Sequence, residues 1–156
     1  MHSVSEILKH KRSGEIWSVS PGDTVLDAIT KMAKRGIGAL LVMDGDDLVG
    51  ILSERDYARK IILQGRRSAE TRVDEIMTRT VITATPEMSA RQGLSLMTEK
   101  FIRHLPVMEG GRVIGVVSIG DLVKAVIDEQ EMLIEQLERY VTGCVRRARS
   151  GEVKPA

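Results

Sequence analysis

Apolar and polar positions follow the same order twice along this chain. Two short apolar runs flank a turn rich in Gly and charged residues at Ala39–Met43 and Leu48–Leu52, and again at Leu105–Met108 and Val113–Val117. Short β-branched runs on either side of such a turn are typical of a β-hairpin. The pattern therefore predicts one hairpin in each half of the chain.

A helix is predicted on both sides of each hairpin. The preceding helices begin at Thr24 and Ser89, which form capping boxes with Asp27 and Gln92 three residues later, and Gly36 is placed to end the first of them. Their apolar residues recur at helical spacing, at Val25, Ala28, Ile29, Met32 and Ala33 and at Ala90, Gly93, Leu94 and Met97. The helices after the hairpins are predicted at Glu54–Leu63 and Ile119–Glu129, and the strands that open the two halves at Glu15–Ser20 and Thr80–Thr85.

The two halves are copies of one unit. Moving the sequence by 65 positions, from 21 to 86, aligns Pro21–Asp56 with Pro86–Asp121 without a gap. The identical pairs are Pro21/Pro86, Met32/Met97, Ile37/Ile102, Val42/Val107, Met43/Met108, Gly45/Gly110, Gly50/Gly115, Ser53/Ser118 and Asp56/Asp121. A repeated unit of this size buries little surface alone. We therefore expect an α+β fold in which two β-α-β-β-α repeats pack sheet to sheet about a pseudo-twofold axis.

The segments outside the repeats complete the predicted organisation. Ser3–His10 reads as a short helix with a Ser3/Glu6 capping box, and a helical turn is expected near Val73–Met77. The last helix continues with a partly apolar stripe of Met132, Leu133, Gln136, Leu137, Tyr140 and Val141. The predicted parts are an N-terminal helix (1–14), the first repeat (15–65), a linker (66–79), the second repeat (80–127), a helical extension (128–143) and a flexible tail (144–156).

Composition narrows the possible functions. The net charge of +1 argues against a nucleic-acid binder, which usually carries a large basic excess. No apolar run reaches the roughly 18 residues of a membrane span, and the N-terminal residues do not resemble a secretory signal. The single cysteine, Cys144, fits a reducing compartment, so we expect a cytoplasmic protein.

The strongest local motif is Gly-x-x-Ser-x-x-Asp, which ends the second strand of both hairpins. Ser53 and Asp56 in the first copy, and Ser118 and Asp121 in the second, are placed to cap the following helix. The same residues could instead bind a ligand, because a helix N-terminus attracts phosphate and an Asp accepts hydrogen bonds from ribose hydroxyls. The preceding glycine would let a flat base approach the backbone. Local sequence leaves both interpretations open.

With these motifs, the chain resembles a tandem CBS-domain pair, or Bateman module, over about residues 15–127. The His104–Met108 run resembles that family's second strand. The resemblance implies two clefts between the repeats that bind AMP, ADP, ATP, NAD(H) or S-adenosylmethionine. It implies that Ser53 and Asp56 serve one cleft and Ser118 and Asp121 the other. Further cleft residues that it implies are Ser18, Val19, Gly38, Ala39, Arg55, Thr83, Ala84, Arg103, His104, Pro106, Ile119 and Gly120.

The copies differ at the positions expected to touch a ligand. Arg103 and His104 stand where the first copy has Gly38 and Ala39, and Arg55 stands where the second has Gly120. Arginine and histidine suit a phosphate, although surface positions without a ligand would also account for them. The asymmetry predicts unequal clefts. The resemblance to stand-alone bacterial pairs suggests AMP in one cleft and NAD(H) in the other, with S-adenosylmethionine ranked behind both.

These residues are consistent with more than one class of function. A regulatory module would bind an adenine nucleotide and act in trans on an unidentified protein, as a homodimer formed through the module and the C-terminal helix. A protein-interaction scaffold would use the Ser and Asp residues only as caps. An enzyme is not expected, because no catalytic constellation accompanies the motif. The three histidines, His2, His10 and His104, have no metal-ligand spacing, and Cys144 and the Arg146–Arg149 run read as parts of a solvated tail.

Overall fold

The computed structural model describes residues 2–11 and 16–149, with side chains up to Cys144. Glu15, which opens the first predicted strand, lies outside the described residues, as does the stretch 150–156 of the predicted tail. None of the described helices is long and apolar enough to cross a membrane. In chain order the elements are α1 (Val4–His10), β1 (Ser18–Val19), α2 (Val25–Arg35), β2 (Ala39–Asp44), β3 (Asp47–Ser53), α3 (Glu54–Tyr57), α4 (Val73–Ile76), α5 (Ala90–Lys100), β4 (His104–Glu109), β5 (Arg112–Ser118) and α6 (Ile119–Arg149).

The predicted α+β fold with two copies of one unit is confirmed. Both hairpins form, and their registers break at the same place, after Val42 in β2 and after Val107 in β4. Gly36 ends α2 in the left-handed conformation, with φ of 63°. Ser89 makes the full predicted capping box, whereas Thr24 accepts only the amide hydrogen bond of Asp27. The sequence periodicity thus predicted both hairpins and the helices that precede them.

The opening strands of the two units differ. β1 pairs in parallel with β2, so the first sheet has the order β1-β2-β3. The strand predicted at Thr80–Thr85 is wrong, because only Ala84 pairs, with Val107 of β4. In the first unit the Leu41 N–H donates to the Trp17 carbonyl (3.3 Å), but Pro106 occupies the position of Leu41 and has no N–H to donate. One proline therefore shortens the second sheet.

Each unit borrows a helix from the other part of the chain. Helix α1 packs on the second unit, where the Val4 N–H donates to the Met88 carbonyl (2.8 Å). Helix α4 packs on the first unit, where the Val73 N–H donates to the Asp23 carbonyl (2.8 Å). Val4 and Val73 are fully buried in the respective cores. The two short helices are therefore equivalent elements, exchanged between the units.

This exchange corrects the predicted linker at 66–79. The helical turn expected near Val73–Met77 forms as α4, but Val73, Ile76 and Met77 are buried in the core of the first unit. Thr71 is buried too, and its hydroxyl donates to the Arg67 carbonyl (2.7 Å). The many charged residues of the segment made it look solvated, but its apolar residues lie on one side of a helical turn and pack inward.

The helices that follow the hairpins also depart from the prediction. The first helix changes at Ala58 into a π-helical turn that runs to Ile62, and the Leu63 N–H donates to the Ala58 carbonyl (3.0 Å). Helix α6 continues to Arg149, so the helix end predicted at Gly143 is wrong and residues 144–149 of the predicted tail are helical. A glycine inside a helix costs only about 1 kcal/mol relative to alanine, which does not end a helix without a capping motif.

The glycine of the repeated motif has a packing role that explains it without a ligand. A Cβ atom on Gly50 would lie 2.6 Å from Met77 Sδ and 3.1 Å from the Thr78 carbonyl oxygen. A Cβ atom on Gly115 would lie 2.7 Å from Leu8 Cδ2. Met77 follows α4 directly and Leu8 belongs to α1, so each glycine makes room for the exchanged helix. This contact gives the glycine a packing role, and the expected approach of a flat base to its backbone stays a prediction.

We expect Gly50→Ala to destabilise the protein by about 1–3 kcal/mol, because the added methyl group has no space beside Met77 and Thr78. Urea unfolding followed by circular dichroism measures this difference. Gly22→Ala is the matched control, since its Cβ would lie 3.7 Å from the nearest neighbouring atom, at the end of the Arg72 side chain. A Gly50→Ala protein as stable as the Gly22→Ala protein would contradict the packing described for α4.

Candidate functional site

Two cavities of similar size lie between the units. One has a volume of about 610 Å³ and contains Asp121, and the other has a volume of about 600 Å³ and contains Asp56. We refer to them as the Asp121 cavity and the Asp56 cavity. Each takes its carboxylate from one unit and part of its wall from the other, and residues 65 positions apart occupy corresponding places. The predicted pseudo-twofold arrangement therefore extends to the cavities.

The Asp121 cavity is rich in cations. Lys11, Lys34 and Arg35 line it, and Asp121 is the acidic residue in its wall. Trp17 forms part of the wall and lies under the Arg35 guanidinium, 3.9 Å from the ring centroid. A cation over an indole face is a favourable contact. The cavity thus combines an aromatic surface with a positive field, which suits an anionic ligand.

The Asp56 cavity has a similar charge pattern with different residues. Arg55, Arg59 and Arg103 line it, together with the acidic residues Glu54 and Asp56. Arg55 donates to the Phe101 carbonyl (2.8 Å), which connects the two units across the cavity. Three guanidinium groups outnumber two carboxylates, so this wall also favours an anion, although less strongly than the wall around Asp121.

Both motif serines cap the helices that follow them. The Ser118 N–H donates to Asp121 Oδ2 (2.8 Å), and the Asp121 N–H donates to Ser118 Oγ (3.2 Å). Ser53 and Asp56 make the same pair of bonds, at 3.0 and 3.2 Å. The capping interpretation therefore describes the geometry of both motifs. Capping also fixes each carboxylate at the rim of its cavity, so it does not oppose a role in binding.

Asp121 is held by Lys11 from the exchanged helix. Lys11 Nζ donates to Asp121 Oδ2 (2.9 Å) and to the Val116 carbonyl (2.8 Å). Partial burial acts to raise the pKa of Asp121. The hydrogen bonds from the Ser118 amide and from the Lys11 ammonium outweigh that effect, so the pKa of Asp121 lies below its usual value. Asp121 is therefore ionised at neutral pH.

Asp56 is bonded more completely. Its Oδ2 accepts from the Ser53 amide (3.0 Å) and the Ser53 hydroxyl (3.1 Å), and its Oδ1 accepts from the Thr78 hydroxyl (3.2 Å) and pairs with Lys60 (3.2 Å). The Asp56 side chain is 12% exposed and the Asp121 side chain 24% exposed. Within the described part of the chain, Asp121 makes its hydrogen bonds through Oδ2, whereas Asp56 uses both oxygens. The predicted inequality of the two sites thus has a geometric basis.

His104 lies where the two cavities meet and lines both of them. Burial lowers the pKa of His104, and the nearby Lys11 ammonium lowers it further. The imidazole is therefore neutral at neutral pH. The neutral ring can donate or accept a hydrogen bond, and its expected role beside a phosphate stays a prediction of that kind.

The structure separates the predicted site residues into two groups. Those that line a cavity are Gly38, Ala39, Ser53, Arg55, Asp56, Arg103, His104, Ser118 and Asp121. Those that line neither are Ser18, Val19, Thr83, Ala84, Pro106, Ile119 and Gly120. Val19 and Ala84 point into the hydrophobic cores. The chain reaches the cavities slightly earlier, at Trp17 in the first unit and at Thr80, Val81 and Ile82 in the second.

Sequence reasoning missed the cationic residues contributed by α1 and by the end of α2. These are Lys11, Lys34 and Arg35, with Trp17 beside them. A signal for the role of α1 was present: Val4-Ser-Glu-Ile7 resembles Val73-Asp-Glu-Ile76 at a spacing of 69 positions. Moving the sequence by 65 positions does not reveal this similarity, because the first copy has four more residues between its short helix and its opening strand than the second copy has. No group of three metal-ligating side chains occurs in residues 2–11 and 16–144.

A model of the CBS domain matches residues 4–63 and 73–128. The chain belongs to the CBS-domain family. The two matches begin at α1 and at α4, so each exchanged helix belongs by sequence to the repeat that it precedes. Pairs of CBS domains are regulatory modules that bind adenosine-containing ligands.

Known proteins of this family resemble the chain over most of its length. The CBS domain-containing protein CBSX3, mitochondrial, of Arabidopsis thaliana is 41% identical over 150 residues, which cover 90% of this chain and 72% of that protein. A putative signal-transduction protein with CBS domains from Burkholderia ambifaria is 54% identical, with a TM-score of 0.80 over 83% of this chain and 96% of that one. The CBS domain pair of protein MJ0100, solved in complex with 5′-methylthioadenosine and S-adenosyl-L-methionine, is 26% identical, with a TM-score of 0.71 over 82% of this chain and 98% of that one.

We expect the stability advantage of the wild type over Asp121→Asn to depend on pH. Because the folded-state pKa of Asp121 is lowered, its contribution is complete above the unfolded-state pKa and is lost as the pH falls through the folded-state value. Urea unfolding between about pH 6 and about pH 3 should show the gap narrowing toward the acidic end. Asp46→Asn, which removes one charge from the exposed hairpin turn, is the control for net charge. A gap that stays constant over this range would contradict the ion pair with Lys11.

Proposed function

We propose that this protein is a regulatory module that binds an adenine nucleotide in the cavities between its two CBS units and acts in trans on another protein. The observation that carries this proposal is the pair of symmetry-related cavities, each with a helix-capping carboxylate and three cationic side chains in its wall. Volumes near 600 Å³ lie within the range of small-molecule sites. The proposal places the protein in the cytoplasm, a reducing compartment that suits its single cysteine.

The charge of the cavities favours a ligand with phosphate. Lysine and arginine side chains bind phosphate through charge-assisted hydrogen bonds, and both walls carry more cations than anions. S-adenosylmethionine contains a sulfonium cation and no phosphate, so these walls suit it less than they suit AMP, ADP or ATP. The complex of the MJ0100 pair with two adenosine derivatives supports the adenosine part of the proposal. AMP in one cavity and NAD(H) in the other remains the specific form of our prediction.

We propose that the Asp121 cavity binds the nucleotide more tightly. Asp121 has the more exposed side chain and keeps an oxygen outside the hydrogen bonds described above, so it can accept bonds from ribose hydroxyls without losing its cap. Trp17, with the Arg35 guanidinium over its ring, lies in the wall near where we place the base, and Lys34 and Arg35 lie in the same wall for the phosphate. At the corresponding place in the Asp56 cavity, Ile82 replaces Trp17.

Lys11 supplies a connection between this cavity and the rest of the fold. It bonds Asp121 from the end of α1, and α1 packs on the second unit. A ribose hydroxyl at the remaining oxygen of Asp121 would lie on the same carboxylate that Lys11 bonds through Oδ2, and so would alter the position of α1. We propose that a partner protein reads this change, since a ligand shifts a conformational equilibrium by its different affinity for the two states. The module needs no catalytic group for this function.

A scaffold without a ligand is the second candidate. Both Ser and Asp pairs form caps, and both motif glycines accommodate the exchanged helices, so the fold alone explains the whole motif. This candidate does not explain why six lysine and arginine side chains line the two cavities. Nucleotide titration separates the two candidates.

We expect AMP to bind and to change the fluorescence of Trp17, the only tryptophan of the chain, because Trp17 lies in the wall of the Asp121 cavity. Calorimetry with AMP, ATP, NADH and S-adenosylmethionine measures total binding, and the fluorescence titration with AMP reports this one cavity. Calorimetric binding without a Trp17 signal would place the ligand in the Asp56 cavity and overturn the assigned order of affinities. Failure of all four ligands to bind at millimolar concentrations would favour the scaffold.

We expect Asp121→Ala to weaken the AMP affinity reported by Trp17 about tenfold or more, the effect of losing one hydrogen bond to a charged group. Asp56→Ala is the matched control, because it removes the equivalent cap from the other helix and leaves the Asp121 cavity unchanged. The Trp17-reported affinity of that control should stay within about twofold of the wild type. Equal losses of affinity in the two variants, with equal losses of melting temperature, would indicate that both aspartates act only as caps.

A further inference from the structure

The second half of α6 projects from the rest of the molecule. Every residue from Gln130 to Thr142 is exposed, and Leu133, Leu137 and Tyr140 each have more than half of their surface in contact with solvent. A single helix of this length is marginally stable in water when nothing packs against it. A row of large apolar side chains on such a helix indicates a surface that another helix covers.

Four positions of this helix form a seam with coiled-coil spacing, and the exposed residues Met132, Ile134 and Val141 flank it. Leu133, Leu137, Tyr140 and Cys144 follow one another at intervals of four, three and four residues, which places them on one face of the helix. The order of these intervals is the same when it is read in either direction. Its centre lies midway between Glu138 and Arg139, so a copy of the helix that runs in the opposite direction presents the same seam.

The charges of the helix change sign at the same centre. Residues 128–138 contain five acidic residues and no basic one, and residues 139–149 contain four arginines and no acidic residue. An antiparallel pair of these segments therefore sets the acidic half of one helix along the basic half of the other. A parallel pair would set acid beside acid and base beside base, which is destabilising.

We propose that the segment 128–149 of α6 pairs with the same segment of a second copy of this chain as an antiparallel two-helix coil. In this pair Leu137 lies opposite the partner's Tyr140, and Leu133 lies opposite the partner's Cys144. The segment of 22 residues spans about 33 Å. The two CBS modules then lie at opposite ends of the coil. In this arrangement the dimer contact lies in α6, whereas the sequence led us to expect a contact through the module as well. The pairing does not depend on nucleotide binding.

The native cysteine provides a direct test of orientation and register. In the antiparallel pair, Cys144 lies opposite the partner's Leu133. The partner's Cys144 is eleven residues further along that helix, about 16 Å away, which is too far for a disulfide. A cysteine introduced by Leu133→Cys lies opposite the partner's Cys144, so mild oxidation should yield a covalent dimer. Met132→Cys is the matched control, because Met132 is equally exposed but lies about 100° around the helix from position 133.

The expected result is a dimer band on a non-reducing gel for Leu133→Cys and little or none for Met132→Cys and the wild type. Light scattering should give the unoxidised wild type twice the chain mass of 17.2 kDa. Circular dichroism checks that both variants keep the helix content of the wild type. A wild type that oxidises to a Cys144-linked dimer would show a parallel pair, and equal cross-linking of the two variants, or a monomeric wild type, would overturn the proposal.

Discussion

The exchange of α1 and α4 between the two units is the constraint on which the rest of the structure depends. Each core is closed by a valine from a helix that belongs, by sequence, to the other repeat: Val4 closes the second core and Val73 the first. Backbone hydrogen bonds fix both helices, and Gly50 and Gly115 provide the space that they need. Neither core is therefore complete without a helix from the other repeat, and the exchanged helices fix the two units against each other.

This arrangement also determines the two cavities. The helix that follows each hairpin brings a carboxylate to the junction, and its cap holds that carboxylate in a fixed orientation. The residue that then contacts the carboxylate comes from the exchanged region: Lys11 after α1 reaches Asp121, and Thr78 after α4 reaches Asp56. Asp121 is contacted by Lys11, whereas Asp56 is contacted by Thr78 and Lys60. A duplicated fold thus gives two related cavities that differ in charge and in the exposure of their carboxylates.

The sequence predicted what depends on local spacing. The hairpins, the caps at Ser53 and Ser118, and the left-handed end of α2 at Gly36 follow from patterns within a few residues. What it missed depends on contacts between distant residues. The packing role of Gly50 was missed because Met77 lies 27 positions away in the sequence, and 66–79 was taken for a linker because its buried face is only one helical turn long. Comparison of the two repeats did not identify Trp17 and Lys34 as cavity residues. They belong to the first unit, and they line a cavity whose carboxylate, Asp121, belongs to the second.

The central claim is that the space between the units holds an adenine nucleotide, with Asp121 in contact with its ribose. A crystal structure of the full chain grown with saturating AMP tests this most directly. The account predicts electron density for AMP in the Asp121 cavity, with a ribose hydroxyl within hydrogen-bonding distance of the Asp121 carboxylate and the phosphate near Lys34 or Arg35. Density for the nucleotide outside both cavities, or none at saturating concentration, would contradict it.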